Sequence, residues 1–277
     1  MFSIFSRSFS FSGSRFQKPS SLIRNSSKKI ISHDIFLPDK QSCPIYTPRG
    51  PNQKLYSRYL NDPDISLLIS TGPAGSGKTL FACATAVQEL MDRTIDKIVI
   101  TRPIVPTEED IGYLHGSLVS KTHHWTRPIF DILEEFYSVR EIDSMIHSGI
   151  IEISPLLFMR GRTFKRSFII ADEMQNSTPN QMLMLTTRLG EQSRLVITGD
   201  LKQSDKFENN GLRDIMNKLD AYEKPTSNIK VVKFDLRDVQ RSQTVSKILR
   251  IYGDNSDVVM SSHNHSSYSV FSKYNSS

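Results

Sequence analysis

The segment Gly72-Pro-Ala-Gly-Ser-Gly-Lys-Thr79 fits G-x-x-x-x-G-K-[ST], a spacing suited to gripping a polyphosphate. Glycines at 72, 75 and 77 open backbone conformations closed to other residues. The turn they form with Pro73, Ala74 and Ser76 can therefore wrap its N–H groups around phosphates at a helix N-terminus. Lys78 is placed to neutralise the β- and γ-phosphates of ATP, and the Thr79 hydroxyl to ligate Mg²⁺. A second acidic contribution is needed, and Ser167-Phe-Ile-Ile-Ala-Asp-Glu173 supplies it, an apolar run with two acids at its end. Asp172 is expected to hold the metal through its water shell, and Glu173 to polarise the attacking water as general base. An Asp-Glu pair alone is usually a solvated strand end. Its company with the glycine-rich turn is what gives it a catalytic reading. Gln175 stands two residues beyond the base, and Thr198-Gly-Asp200-Leu-Lys-Gln203 puts a polar cluster after a further apolar run, with Gln203 or Asp200 placed to sense the γ-phosphate. Thr101-Arg102-Pro103 fits a contact to nucleotide or nucleic acid as well as it fits a plain turn.

These residues need a scaffold that brings strand ends together, and the pattern predicts one. Short apolar runs alternate with helical stretches, the order of an α/β domain with a mostly parallel sheet and helices on both faces. Strands are expected at Ile65–Ser70, Lys97–Thr101, Ile150–Ile153, Phe168–Ala171, Arg194–Thr198 and Ile229–Phe234. Helices are expected at Leu80–Met91, Pro179–Leu189 and Leu212–Leu219, with a longer, mostly helical connection over 104–149. Thr178 as N-cap, Pro179 at the first helical position and Gly190 as a stop frame one of these helices.

The chain has 277 residues, 38% of them hydrophobic, enough for one sizeable domain over 46–253 but tight for two. No run reaches the roughly 18 to 20 apolar residues that span a bilayer, so no membrane partner is expected. Cys43 and Cys83 are too few for a disulfide framework, and a reducing compartment is expected. The net charge of +6 resides in the first 33 residues, where Arg7, Arg15, Lys18, Arg24, Lys28 and Lys29 meet no acid; beyond them, basic and acidic residues balance. Any nucleic-acid surface on the domain is therefore a local patch. Residues 1–45, rich in Ser and Arg, read equally as an organellar transit peptide or a disordered basic arm, and localisation is correspondingly organellar or cytoplasmic. Residues 254–277, dominated by Ser, Asn and His, read as a flexible tail. Arg160, Arg162, Lys165 and Arg166, interleaved with Phe158 and Phe164, read either as a loop gripping single-stranded RNA or DNA or as a solvated charged face.

The chain resembles the PhoH family of superfamily 1 helicase-like P-loop ATPases, from about Pro48 to Tyr252. The likeness is carried by Asn52-Gln53, Gly72–Thr79, Thr101–Pro103, Gly112-Tyr-Leu-His-Gly116, Phe158–Thr163, Ile169–Asn176 and Val196–Gln203. It implies a single RecA-like domain, ATP binding and hydrolysis, and a role in RNA metabolism. It also implies that Gln53 contacts adenine. Met174 departs from the small residue usual at that place, and the stretch after Gln203 departs from the usual pattern. The chain has room for one RecA-like domain, so a neighbouring subunit is expected to supply an arginine finger in trans, within a hexameric ring as the resemblance suggests. Arg241 is the candidate for that finger, with a surface ion pair as the other reading. A nucleotide-dependent switch or assembly protein without nucleic-acid substrate is the alternative function. A small-molecule kinase is disfavoured, because Glu173 directly after Asp172 suits activation of water.

Overall fold

In the computed structural model, the described residues are 44–103, 118–204, 209–224 and 226–239, with side chains of the segment beginning at 118 described from Thr126 onward. The two tails, the Gly112–Gly116 motif and Arg241 lie outside them.

Strands β1 (Leu67–Thr71), β2 (Lys97–Thr101), β3 (Ile151–Ile153), β4 (Ser167–Ala171), β5 (Arg194–Gly199) and β6 (Ile229–Lys233) form a six-stranded sheet in the order β3-β2-β4-β5-β1-β6. Every pairing is parallel. Helices α1 (Pro51–Leu60), α2 (Lys78–Met91), α3 (Leu118–Leu133), α4 (Val139–His147), α5 (Pro179–Thr186) and α6 (Gly211–Asp220) cover it. From β1 the chain steps across the sheet to β2 and β3, then returns through β4 and β5 to β6 on the far side. Because parallel crossovers are right-handed, reversing the direction of travel moves the connecting helices to the other face.

The side chains follow that rule. Leu68, Ile98, Phe168 and Val196 pack with α1, α2, α3 and α4, while their strand neighbours Leu67, Val99, Ile169 and Leu195 pack with α5 and α6. Alternate residues thus feed opposite cores, which is why these strands are continuous apolar runs in sequence. The departure at Met174 is absorbed here, since its side chain is buried in the second core.

Helices α1 and α5 depart most from the sequence expectation, whereas the connection over 104–149 is helical where it is described, as expected. Helix α1 has a Pro at its start and Gln53, Tyr56 and Leu60 on its buried face, and the sequence pattern left it unassigned. The connection over 104–149 contains α3 and α4 in its described part, α4 opened by a Ser138 and Glu141 capping box. Helix α5 starts as expected, with Thr178 Oγ1 accepting from the Gln181 amide at 3.2 Å and Gln181 Oε1 accepting from the Thr178 amide at 2.9 Å. It ends at Thr186 rather than Leu189, because the chain turns there to pair with Phe164: the Gly190 amide donates to the Phe164 carbonyl at 2.8 Å. Gly190 is a close-approach glycine instead of a helix stop, since a Cβ there would lie 2.4 Å from that same oxygen.

Candidate phosphate-binding and hydrolytic site

A cleft opens at the C-terminal ends of β1, β2, β4 and β5, where a doubly wound sheet leaves a crevice. It is lined by residues of the glycine-rich turn together with Arg102, Asp172, Glu173, Thr198, Asp200 and Gln203, with Pro128 and Ile132 of α3 as an apolar wall. Gln203 sits on the cleft at the end of a 3-10 turn that begins at Leu201.

The turn between β1 and α2 runs through left-handed glycines, with φ of 138° at Gly72, 82° at Gly75 and 89° at Gly77. Gly72 also passes so close to β6 that a Cβ would stand 2.5 Å from the Phe234 carbonyl oxygen. Gly77 caps α2, so the helix begins at Lys78, two residues earlier than its apolar pattern indicates. Lys78 Nζ donates to the carbonyls of Gly72 at 2.6 Å and Pro73 at 2.9 Å, and to Ser76 Oγ at 3.3 Å. Burial pushes its pKa down, opposed by the nearby charges of Asp200, Glu173 and Asp172. An arriving polyphosphate adds negative charge beside this desolvated ammonium and favours its charged form.

Thr79 Oγ1 donates to Asp172 Oδ1 at 2.9 Å, and Thr198 Oγ1 donates to the same oxygen. One carboxylate at the end of β4 therefore joins the first turn of α2 to β5, while the Asp172 amide donates to the Thr101 carbonyl of β2 at 2.9 Å. Glu173 follows in a left-handed conformation, φ 54° and ψ 38°, an uncommon setting for a residue with a side chain. That reversal is how two adjacent acids both reach the cleft. Its carboxylate accepts a hydrogen bond from Gln175 Nε2.

The hydroxyl of Thr79 and the carboxylate of Asp172 are hard oxygen donors, which suits Mg²⁺. Among the described residues no group of three or more His, Cys, Asp or Glu could hold a metal by itself.

Gln53 is 1% exposed. Its Nε2 donates to the carbonyls of Ser76 at 3.0 Å and Asp238 at 3.2 Å, and its Oε1 accepts from the amides of Arg49 at 2.9 Å and Gly50 at 3.4 Å. All four hydrogen-bonding positions of the amide are thus taken. It ties the glycine-rich turn to α1 and to the segment after β6, and an adenine edge reaches it only by displacing one of these bonds.

Three members of the basic stretch, Arg162, Lys165 and Arg166, stand beside acids. Arg162 and Lys97 both bond to Glu152, Arg166 Nε donates to Asp96 at 2.8 Å, and Lys165 lies 3.5 Å from Glu191. Phe164 is buried with the Arg162 guanidinium 4.5 Å from its ring centre, leaving Phe158, 56% exposed, as the accessible aromatic of the pair.

Sequence reasoning left Thr198, Pro128 and Ile132 without a role in the cleft. A hydroxyl one residue before the Gly-Asp pair gave a faint signal for Thr198. The α3 residues gave none, because only packing of α3 across the sheet brings them there.

The model for PhoH-like proteins matches residues 45–253. The chain belongs to the PhoH-like family. This PhoH-like chain is 37% identical over 202 residues to the PhoH-like protein of Synechocystis, covering 72% of the chain and 60% of the relative. It is 40% identical over 188 residues to that of Bacillus subtilis, covering 67% and 58%. With protein PhoH of Escherichia coli it shares 34% identity over 190 residues, covering 67% and 52%. The chain thus spans a little over half the length of these relatives. Among solved structures it is similar to the Sulfolobus solfataricus SWI2/SNF2 ATPase core in complex with dsDNA, with a TM-score of 0.40 and 10% identity over 70% of this chain and 47% of that one. It is also similar to the Pif1 helicase of Candida albicans, with a TM-score of 0.38 and 12% identity over 76% and 44%. The fold assignment stands on the chain's own sheet order.

Proposed function

We propose that this PhoH-like chain binds ATP with Mg²⁺ and hydrolyses it. The observation that carries the reading is the meeting of Thr79, Asp172 and Thr198 on one carboxylate oxygen, with Lys78 and Glu173 lining the same cleft. In this reading the turn from Gly72 to Thr79 holds the phosphates, with Pro73, Ala74, Gly75, Ser76 and Gly77 shaping its curve, and Lys78 exchanges loop carbonyls for phosphate oxygens. Thr79 and Asp172 hold the metal, which when bound neutralises charge on the phosphates. Glu173 takes a proton from the attacking water, and Gln203 or Asp200 reads the γ-phosphate. Isothermal calorimetry with ATP and Mg²⁺, joined to phosphate release, tests this: saturable binding with turnover is expected, and no affinity for any purine triphosphate defeats it.

Hydrolysis is proposed to serve RNA metabolism, with single-stranded RNA or DNA as the partner and the stretch from Phe158 to Arg166 as the candidate surface. Arg241 is proposed to complete the site of a neighbouring subunit in a hexameric ring, with compartment set by the N-terminal segment. Turnover stimulated by single-stranded RNA supports this use. Slow, unstimulated turnover with ATP-dependent assembly supports the switch instead. A fully active monomer by light scattering excludes the finger in trans.

A further inference from the structure

Gln175 is 1% exposed and sits within the 3-10 turn Met174–Asn176 that follows Glu173. Its Nε2 donates to the Glu173 carboxylate, and its Oε1 accepts from the Asp200 amide at 3.1 Å. The orientation of this amide is dictated by its neighbours: turning it over would set NH₂ against N–H at Asp200 and oxygen against carboxylate at Glu173. Two further features build the place it occupies. The Ser204 hydroxyl donates to the Gln175 carbonyl at 3.1 Å and accepts from Asn210 Nδ2 at 2.8 Å, anchoring the turn to the N-cap of α6. At position 199 a Cβ would lie 2.7 Å from Gln175 Oε1, so glycine there is what lets the amide pass between the ends of β4 and β5.

We propose that Gln175 is a positioning residue for hydrolysis, its buried amide fixing the Glu173 carboxylate to the backbone of the turn that carries Asp200 and Gln203. This rests on the ATPase reading and gives it a mechanical link. A shift of the Asp200 turn, which borders the cleft, changes the acceptor side of the amide and with it the aim of the base. Holding Glu173 this way also helps to keep its left-handed backbone in place.

The test uses the full chain and the variants Gln175→Ala and Gln175→Glu. Affinity for Mg²⁺ with a non-hydrolysable ATP analogue is measured beside kcat and KM. For Gln175→Ala, kcat is expected to fall about 10- to 100-fold, the scale of a misplaced reacting group. The analogue's dissociation constant is expected to stay within roughly threefold, because transition-state positioning and ground-state binding separate. Gln175→Glu keeps an acceptor for the Asp200 amide but sets a second carboxylate against Glu173. Its kcat is therefore expected to fall as far as that of Gln175→Ala, with the analogue's dissociation constant again within roughly threefold. A wild-type chain without MgATP affinity or turnover overturns the hydrolase reading, and this assignment falls with it. Wild-type turnover with a Gln175→Ala or Gln175→Glu rate within about twofold of it, or loss of rate and analogue affinity together, overturns the assignment of Gln175 alone.

Discussion

At the scale of single residues, the proposed ATPase function assigns binding and chemistry to different side chains of the cleft. Lys78 and Thr79 stand on the helix that follows the glycine-rich turn, whereas Glu173 stands beyond Asp172 on a different strand end. Replacing Glu173 by Gln keeps the side-chain volume and removes the base, so MgATP affinity is expected to survive while phosphate release falls at least about 100-fold. Calorimetry and a phosphate assay on the same preparation check this, and near-normal turnover would remove Glu173 from its role. Most of these side chains were legible in the sequence because phosphate chemistry restricts which types serve at which spacing. Gln53 was legible as a position but not as a set of contacts. Its four partners come from Arg49, Gly50, Ser76 and Asp238, and only the folded chain brings the last two beside it.

At the scale of elements, capping and close approach set the boundaries that periodicity left open. The N-terminus of α5 was visible as Thr178-Pro179 because the cap needs only neighbours in sequence. Thr178→Ala removes one bond of the reciprocal pair and is expected to cost about 1 kcal/mol, read as a lower urea midpoint at unchanged slope. An unchanged midpoint would mean that solvent serves the Gln181 amide as well. The C-terminus of α5 was misplaced because Gly190 answers to Phe164, 26 residues away. Helix α1 was overlooked for a related reason. Its buried face carries Gln53 and the Tyr56 hydroxyl, which donates to the Lys78 carbonyl at 3.1 Å, so polar groups that only tertiary partners satisfy blur its apolar stripe.

At the scale of the whole molecule, charge pairing and topology decide what the sequence's blocks of residues do. Glu152 on β3 joins Lys97 on β2 to Arg162, and the hydrogen bond from Arg162, the largest cause, holds its carboxyl below the usual carboxylate range. A depressed folded pKa means that this stabilisation is complete above the ordinary value of 4.5 and is lost as pH falls through the lower folded value. Glu152→Gln is therefore expected to lower stability by about 1 kcal/mol at neutral pH, where half-exposed pairs are screened. The gap from wild type should close as the medium is acidified, as read by urea unfolding at several pH values, whereas a gap independent of pH would assign the effect to packing. What this sequence determined by itself was the set of strands, the phosphate turn and the two acids, because hydrophobic period and local backbone freedom act between residues close in the chain. The order of strands, the joining of Thr79 and Thr198 on Asp172, and the pairing of the basic stretch were decided by tertiary structure, because each depends on residues that only the folded sheet brings into contact.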